Sequence, residues 1–480
     1  MLFNSLEYSV IFLPISVLMY LLLRRFSILA SKLWVCTTSL YFYTFFTYQF
    51  IPFLILSIIL NYALLTIVLN RNAKLGLYSS IIFNVACLGY FKYFNFFSQN
   101  IDTALNLNIP HIDIIAPLAI SFYTFQQISL AVSVYRKQTS NLGPVDYCAY
   151  ILFFPKLISG PITDYEVISR QLNNRESYIG RYFAPAIFIF SAGLFKKIVM
   201  ASYFGSIADQ GYINLSTIST IDSWVTSLSY TMQLYFDFSG YTDMAIGSAL
   251  LFGVILPINF NSPYKATDLQ DFWRRWHITL STWLRNFVYI PLGGNRKGDI
   301  RTYINLFLTF LIGGFWHGAG WNFLAWGALH GVGLVVHRYW SQSGFKMPAV
   351  LGWFITFNYV NITWIFFRTE NLTDARNILY KMFPMHFSSE KGVIFNQPFA
   401  ESLLLQSQHD GMFMLAACLM AVLICLIPFN TNSIVESAKS KQVGFVTDIL
   451  RPAIYSLGLC IAIIVSLGGA APGSFIYFNF

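Results

Sequence analysis

The uncharged stretch 303–336 restricts the fold of this chain more than any other feature. It contains no Asp, Glu, Lys or Arg, but it holds His317 in the tripeptide Trp316-His317-Gly318, with further glycines close by. A helix over 303–315 rises only about 20 Å, whereas the hydrocarbon core of a bilayer is about 30 Å thick. We therefore predict that the helix breaks at the glycines with His317 inside the membrane, where a titratable group marks a functional site. The alternative is a structural role, in which His317 is packed at a helix end and takes no part in chemistry.

The composition predicts an integral membrane protein of the all-α class. Of the 480 residues, 56% are hydrophobic and 11% are charged, whereas a soluble domain has about 25% charged residues. The net charge of +9 comes from basic residues between apolar segments. This pattern indicates positive-inside topology in a lipid bilayer, and it argues against nucleic-acid binding.

Loop charges predict the topology. The first apolar run, 8–23, follows Glu7 and precedes Arg24 and Arg25, which reverses the charge order of a cleavable signal peptide. We predict that this run remains as a span. We expect a single membrane domain over 1–480 with about eleven spans, within a range of about nine to thirteen.

Polar residues, among them Asp237 and Asp243, interrupt the apolar segment 224–257. For this segment we predict one span plus a re-entrant or surface piece.

The most basic segment, 259–301, is predicted to face the cytoplasm. Within it, large apolar residues such as Trp273 recur at helical spacing over 271–290, with Arg274 on the opposite face and His277 near the boundary. This pattern predicts an amphipathic helix at the membrane surface.

The six cysteines predict neither a disulfide framework nor a metal site. They form no CxxC pair, and five of them lie inside apolar segments. Inert thiols are the expected state, and we predict no bound metal.

Two histidines suit acyl transfer from a thioester to a hydroxyl. This reaction needs a base near the hydroxyl, and histidine titrates near neutral pH. His277 is predicted near the cytoplasmic face and His317 at the membrane break, so helix packing would bring them together across a closed site. A transporter remains open from these residues alone, because broken helices and polar residues at the bilayer midplane are also typical of transporters.

Several motifs carry a resemblance to a known family. They are SFYTFQ from Ser121, LISGPI from Leu157, YFDFSGYTDMAIG from Tyr235, FNSPY from Phe260, FWRRWHITLSTWLRNFVYIPLGGNR over 272–296, GFWHGAGWNFLAWGALHG over 314–331 and FIYFNF over 475–480. With these motifs the chain resembles the membrane-bound O-acyltransferases, in particular the alginate O-acetyltransferase-like branch.

The resemblance implies a helical bundle with a central tunnel and assigns roles to individual residues. His317 corresponds to the catalytic histidine of the WHG motif, as base or acyl-transfer residue. His277 would position the donor or the transition state. Further residues would support these histidines or line the tunnel: His330, Trp316, Asp237, Asp243 and Arg274. For the two aspartates, hydrogen bonding between helices is the alternative.

The implied function is O-acyl transfer in a bacterial cytoplasmic membrane. Acetyl-CoA or another acyl thioester would be the cytoplasmic donor, without a bound cofactor. An extracytoplasmic partner would pass the acetyl group to an envelope or exported polysaccharide. The length and polarity of the external segment 368–410 make it one candidate docking surface for this partner. A D-alanyl transferase of the teichoic-acid type with a carrier-protein donor is the alternative. Departures from the branch pattern leave acceptor and partner open: Asn286 after Arg285, Ser133, and Thr163-Asp164.

Overall fold

The computed structural model describes residues 1–68, 72–139, 142–174, 179–383, 395–396, 408–409, 411–427 and 430–432. The predicted span 452–467, the FIYFNF motif and most of the predicted docking segment 368–410 beyond residue 383 lie outside the described residues.

The described residues are helical apart from turns, connecting loops and one short strand pair, so the all-α prediction is confirmed. The first helices are α1 Leu13–Phe26, α2 Ile28–Thr47, α3 Ile51–Ala63, α4 Ala73–Leu88, α5 Phe94–Leu105, α6 Ile120–Tyr135, α7 Pro144–Leu152, α8 Phe154–Leu157, α9 Tyr165–Asn173 and α10 Ile179–Phe195. The later helices are α11 Ser202–Ile213, α12 Thr220–Leu251, α13 Leu269–Arg275, α14 Ile278–Leu284, α15 Asp299–His317, α16 Trp321–Gln342, α17 Ala349–Arg368, α18 Leu372–Met382 and α19 Gly411–Cys425.

Shorter elements join or extend these helices. The π-helical segments are Glu7–Phe12, Leu64–Val68, Gly89–Tyr93, Lys196–Ala201 and Arg285–Tyr289, and the 3-10 segments are Tyr48–Phe50 and Pro263–Lys265. Strand β1, Phe395–Asn396, pairs antiparallel with β2, Gln408–His409.

Within the described part of the chain, five helical stretches have the length and composition to cross a membrane: Glu7–Phe26, Ile28–Ile67, Ala73–Leu105, Tyr182–Ile213 and Ala349–Arg368. Helix Met412–Cys425 is apolar but shorter. These helices agree with a multi-pass membrane protein, while the total of about eleven spans stays a prediction.

The chain divides into two compact units, Met1–Phe190 with Thr242–Pro257, and Ser191–Tyr241 with Ile258–Phe480. The first unit buries polar side chains that bond to one another, as when Gln127 accepts a hydrogen bond from Asn61 at 2.8 Å. The second unit contains α13 to α18. The prediction of a single membrane domain stays untested.

Helix α12 corrects the prediction for 224–257. It runs without a break from Thr220 to Leu251, so the predicted re-entrant piece is wrong for these residues. A helix satisfies its own backbone, and two of the polar side chains of α12 have partners inside the protein. Asp237 forms a buried ion pair with Lys197, and Thr231 donates a hydrogen bond of 2.6 Å to Asn361.

The predicted amphipathic helix over 271–290 is two helices. Helix α13 ends at Arg275 and α14 begins at Ile278. Between them His277 has a φ of 43°, in the left-handed region that side chains with a Cβ rarely adopt. The two faces are as predicted, because Trp273 is buried whereas Arg274 is exposed.

Helix α15 ends at His317, close to the predicted break, but it is longer than predicted. It begins at Asp299 and has 19 residues, which gives a rise of about 28 Å. Because this nearly equals the hydrocarbon thickness, helix length alone does not place His317 at the middle of the membrane. After the short turn, α16 packs closely against α15.

Candidate active site

His317 is the last residue of α15, and its surroundings are aromatic. Its side chain is 4% exposed. Its ring centroid lies 4.8 Å from that of Trp316, 5.1 Å from that of Trp326 and 5.2 Å from that of Phe367. A Cβ atom at Gly318 would lie 2.1 Å from the Phe323 ring, so a side chain at this position would displace that ring. The WHG motif thus holds the imidazole at the end of a helix between large rings.

A cavity of about 630 Å³ in the second unit contains His317 in its wall. Along α15 its lining extends back from His317 to Leu306, a rise of about 16 Å. Along α16 it extends from Trp326 to Gln342. The cavity is therefore elongated, with His317 and Trp326 towards one end.

The cavity lining carries strong positive charge. It includes four arginines and no carboxylate among the residues that the structure describes: Arg274, Arg285, Arg296 and Arg338. Two aspartates lie just beside the lining, with Asp299 3.4 Å from Arg338 and Asp268 3.6 Å from His337. Such a cluster favours an anionic ligand.

His277 has different surroundings. It is fully buried, its Nδ1 atom lies 3.2 Å from Oδ1 of Asn259, and its ring centroid lies 4.8 Å from that of Phe238. His277 lies outside the five candidate spans, and burial lowers its pKa to about 3, so its imidazole is neutral at physiological pH.

His277 is not among the residues that line the His317 cavity. Aromatic contacts connect the two regions, because Trp276 lies 5.0 Å from Trp364, Trp364 lies 5.6 Å from Trp326, and Trp326 contacts His317. The predicted convergence of both imidazoles on one reaction site stays a prediction.

His330 uses both ring nitrogens inside the protein. Trp273 donates a hydrogen bond of 3.2 Å from Nε1 to Nδ1 of His330, and Nε2 lies 3.0 Å from Oγ1 of Thr363. The Thr363 hydroxyl in turn donates to the carbonyl of Val360. This chain of donors indicates a neutral His330 with its proton on Nε2. His330 therefore supports the aromatic wall of the cavity.

The other predicted site residues separate into different environments. Arg274 lines the cavity, and Trp316 is buried against His317. Asp237 pairs with Lys197, which agrees with bonding between helices. Asp243 is buried and belongs to the first unit.

Sequence reasoning missed Asn259 and the role of Trp326. Asn259 directly precedes the FNSPY motif and Trp326 lies inside the second long motif. Their position beside or within the motifs was the available signal, but hydrophobic periodicity does not predict their contacts with His277 and His317.

Comparison with known proteins agrees with the motifs. The model of the family "MBOAT, membrane-bound O-acyltransferase family" matches residues 40–369. A peptidoglycan O-acetyltransferase of Helicobacter pylori is 39% identical over 100% of this chain and 98% of its own length. The probable alginate O-acetylase AlgI of Pseudomonas aeruginosa is 41% identical over 65% of this chain and 61% of its own.

A more distant relative is the teichoic acid D-alanyltransferase of Streptococcus thermophilus, which is 28% identical over 52% of this chain and 68% of its own length. The helical fold, the membrane-spanning helices, the family match and these relatives agree. The chain is an O-acyltransferase and belongs to the membrane-bound O-acyltransferase family.

Proposed function

We propose that this protein transfers an acetyl group from a cytoplasmic thioester towards a hydroxyl of an envelope polysaccharide, with His317 as the catalytic base. The observation that carries this proposal is the elongated cavity with His317 in its wall and four arginines in its lining. The full-length similarity to a protein named peptidoglycan O-acetyltransferase supports acetyl as the acyl group.

The donor is acetyl-CoA or another anionic acyl thioester. Arginine binds phosphate groups through paired N–H donors, and the absence of carboxylates from the described lining removes a source of repulsion. Arg338 and Trp326 are separated along α16 by a rise of about 18 Å. An extended donor with its phosphates near Arg338 would present its thioester near His317. The basic segment 259–301 favours entry from the cytoplasm.

The chemistry is base-catalysed acyl transfer. His317 accepts the proton of the attacking hydroxyl while the hydroxyl oxygen forms a bond to the thioester carbonyl carbon. The carbon–sulfur bond then breaks, and the proton passes to the leaving thiolate. The aromatic rings around His317 leave only 4% of the residue exposed, which limits the water that can compete as the nucleophile.

The acceptor is a cell-envelope polysaccharide such as peptidoglycan, reached through an extracytoplasmic partner protein at the bacterial cytoplasmic membrane. The support is the extent of the similarity, because the peptidoglycan O-acetyltransferase aligns over 100% of this chain whereas the alginate O-acetylases align over 56–80% of it.

A D-alanyl transferase is the second candidate, and the teichoic acid D-alanyltransferase relative supports it. The two functions differ in the donor. Membrane vesicles supplied with radiolabelled acetyl-CoA should form labelled ester if the donor is acetyl-CoA, whereas a D-alanyl transferase would require a charged carrier protein.

The test of the catalytic assignment is His317→Ala in cells without a redundant enzyme. We expect polysaccharide ester content to fall by at least about 100-fold, because a general base contributes about 10²- to 10⁴-fold to the rate. The matched control is His111→Ala, which replaces an exposed histidine of the first unit. Wild-type ester content in the His317 variant, at equal protein level in the membrane, would refute the assignment.

A further inference from the structure

Asn259 makes a dense set of hydrogen bonds to the break between α13 and α14. Its carbonyl oxygen accepts a bond of 2.9 Å from the backbone of Ile278. Its side-chain Oδ1 accepts bonds from the backbone and the hydroxyl of Thr279 at 3.1 and 2.9 Å. The same Oδ1 lies 3.2 Å from Nδ1 of His277. One asparagine therefore contacts three consecutive residues across the helix break.

These contacts determine which way the Asn259 amide faces. A backbone N–H can only donate, so the atom that faces the N–H of Thr279 must be the amide oxygen. An oxygen at this position cannot donate to His277, so Nδ1 of His277 must carry the ring proton. In a neutral imidazole the other nitrogen, Nε2, then has a free lone pair. The amide thus selects one tautomer of His277.

The Nε2 atom of His277 is buried and has no hydrogen-bond partner among the residues that the structure describes. A buried acceptor without a partner is costly and calls for an explanation. The strained φ of 43° at His277 is a second cost at the same residue. Both observations mark this imidazole as held for a purpose other than packing.

We propose that Asn259 is a positioning residue, which holds His277 in the neutral tautomer that presents Nε2 as a hydrogen-bond acceptor to the reacting groups. This inference rests on the proposed function and on the role of His277 in it. Asn259 acts only through His277, and it makes no contact with substrate.

Charged groups on the neighbouring elements do not supply an alternative control of His277. Asp237 on α12 is paired with Lys197, and Arg275 on α13 is paired with Asp271. Arg274 and Arg285, at the end of α13 and after α14, are exposed. The phenol of Tyr264 donates to the backbone of Thr231, and Tyr235 packs its ring against Trp276.

The decisive variant is Asn259→Asp. Its carboxylate can accept the same three hydrogen bonds at Oδ1, but a negative charge beside an imidazole raises the pKa of that imidazole. His277 would then take up a proton at Nε2 at a higher pH than in the wild-type protein, and the protonated ring would lose its acceptor. We expect the acid limb of the kcat–pH profile to move upwards by at least about one pH unit, with the KM for the donor unchanged.

The matched control is Asn361→Asp, which also places a carboxylate at a buried asparagine whose Oδ1 accepts from a threonine hydroxyl. Its pH profile should follow that of the wild-type protein. A second variant, Asn259→Ala, should lower kcat by at least about 10-fold. Combined with His277→Ala it should cause no further loss beyond that of His277→Ala alone, because both changes remove one function.

The outcomes separate the inference from the proposed function. If His277→Ala is inactive while Asn259→Asp keeps the wild-type pH profile, or the losses in the double variant multiply, the role of Asn259 is overturned and the proposed function stands. If His277→Ala keeps full activity, the role of His277 itself is overturned. If His317→Ala keeps full activity, the proposed function fails.

Discussion

His317 and His277 differ in access and in the reactions that they can support. His317 lines a large cavity, so small molecules can reach its ring. His277 is fully buried with a pKa of about 3, so it remains neutral across the physiological pH range. A histidine with so low a pKa can accept a hydrogen bond but is a weak base, so it suits orientation of the reacting groups better than proton abstraction. The assignment of the base to His317 follows from this difference.

His330 provides a residue-scale prediction about support rather than chemistry. His330→Ala would leave the indole N–H of Trp273 without its partner, at a cost of about 1–3 kcal/mol for a buried polar group left unpaired, whereas the Thr363 hydroxyl would still donate to the carbonyl of Val360. We expect a lower Tm of the detergent-solubilised protein together with lower activity. His330→Gln is the matched variant, because its amide can both accept from Trp273 and donate to Thr363.

His330→Gln should therefore retain most of the activity and the wild-type Tm. A variant that is folded normally but inactive would instead show that His330 takes part directly in the reaction.

At the residue scale, the sequence predicted positions better than contacts. The glycines around His317 predicted a helix end, and α15 does end at His317. The bond between Asn259 and His277 was not predictable, because it joins residues 18 positions apart through a turn. Hydrophobic periodicity describes which face is buried, and it contains no information on such a bond.

The helices α15 and α16 form a hairpin whose packing depends on glycine. A Cβ atom at Gly314 would lie 2.3 Å from the backbone oxygen of Phe323, and one at Gly327 would lie 2.5 Å from that of Phe310. Small residues let helix backbones approach closely inside membranes. The hairpin therefore carries His317 on one helix and Trp326 on the other at a fixed separation.

Gly314→Ala should force the two helices apart. Overpacking of this kind costs about 1–3 kcal/mol, so we expect a lower Tm and a loss of activity as His317 moves relative to Trp326. The matched control is Gly320→Ala, where the nearest atom would be the Phe323 ring at an ordinary distance of 3.6 Å. Equal effects of the two substitutions would contradict a special role for the Gly314 contact.

At the element scale, the break at His277 shows the limit of pattern reading. Trp273, Trp276, Leu280 and Trp283 recur with helical spacing on both sides of the break, so a two-residue interruption leaves the pattern almost unchanged. Likewise, the polar residues of α12 suggested an interruption that does not exist. Polar side chains can lie within an unbroken helix because the helix satisfies its own backbone, and the sequence pattern does not show which partners the tertiary structure supplies.

At the scale of the whole molecule, the basic segment 259–301 and the arginine-lined cavity lie on the side predicted to face the cytoplasm. This arrangement suits an anionic donor that enters from that side.

The substitution Arg285→Gln would remove one positive charge from the cavity lining. Because this arginine is exposed, we expect only a few-fold rise in the donor KM, equivalent to about 0.2–1 kcal/mol, and less at high salt. The control is Arg136→Gln, which replaces an exposed arginine of the first unit.

The measurement that tests this prediction is the donor KM as a function of ionic strength, in the wild-type protein and in Arg285→Gln. Donor KM should rise with ionic strength in the wild-type protein and rise less steeply in the Arg285 variant. Identical salt slopes for wild type and Arg285→Gln would argue against an anionic donor in this cavity.

The buried pair of Lys197 and Asp237 has a consequence for biosynthesis. Lys197 follows α10 and Asp237 lies on α12, and both side chains are about 95% shielded from solvent. A lone charge in the hydrocarbon core costs several kcal/mol, so release of either helix alone into lipid is unfavourable. We expect the insertion machinery to retain the earlier helix until the later one emerges from the ribosome, so that the two are released into the bilayer as a neutral pair.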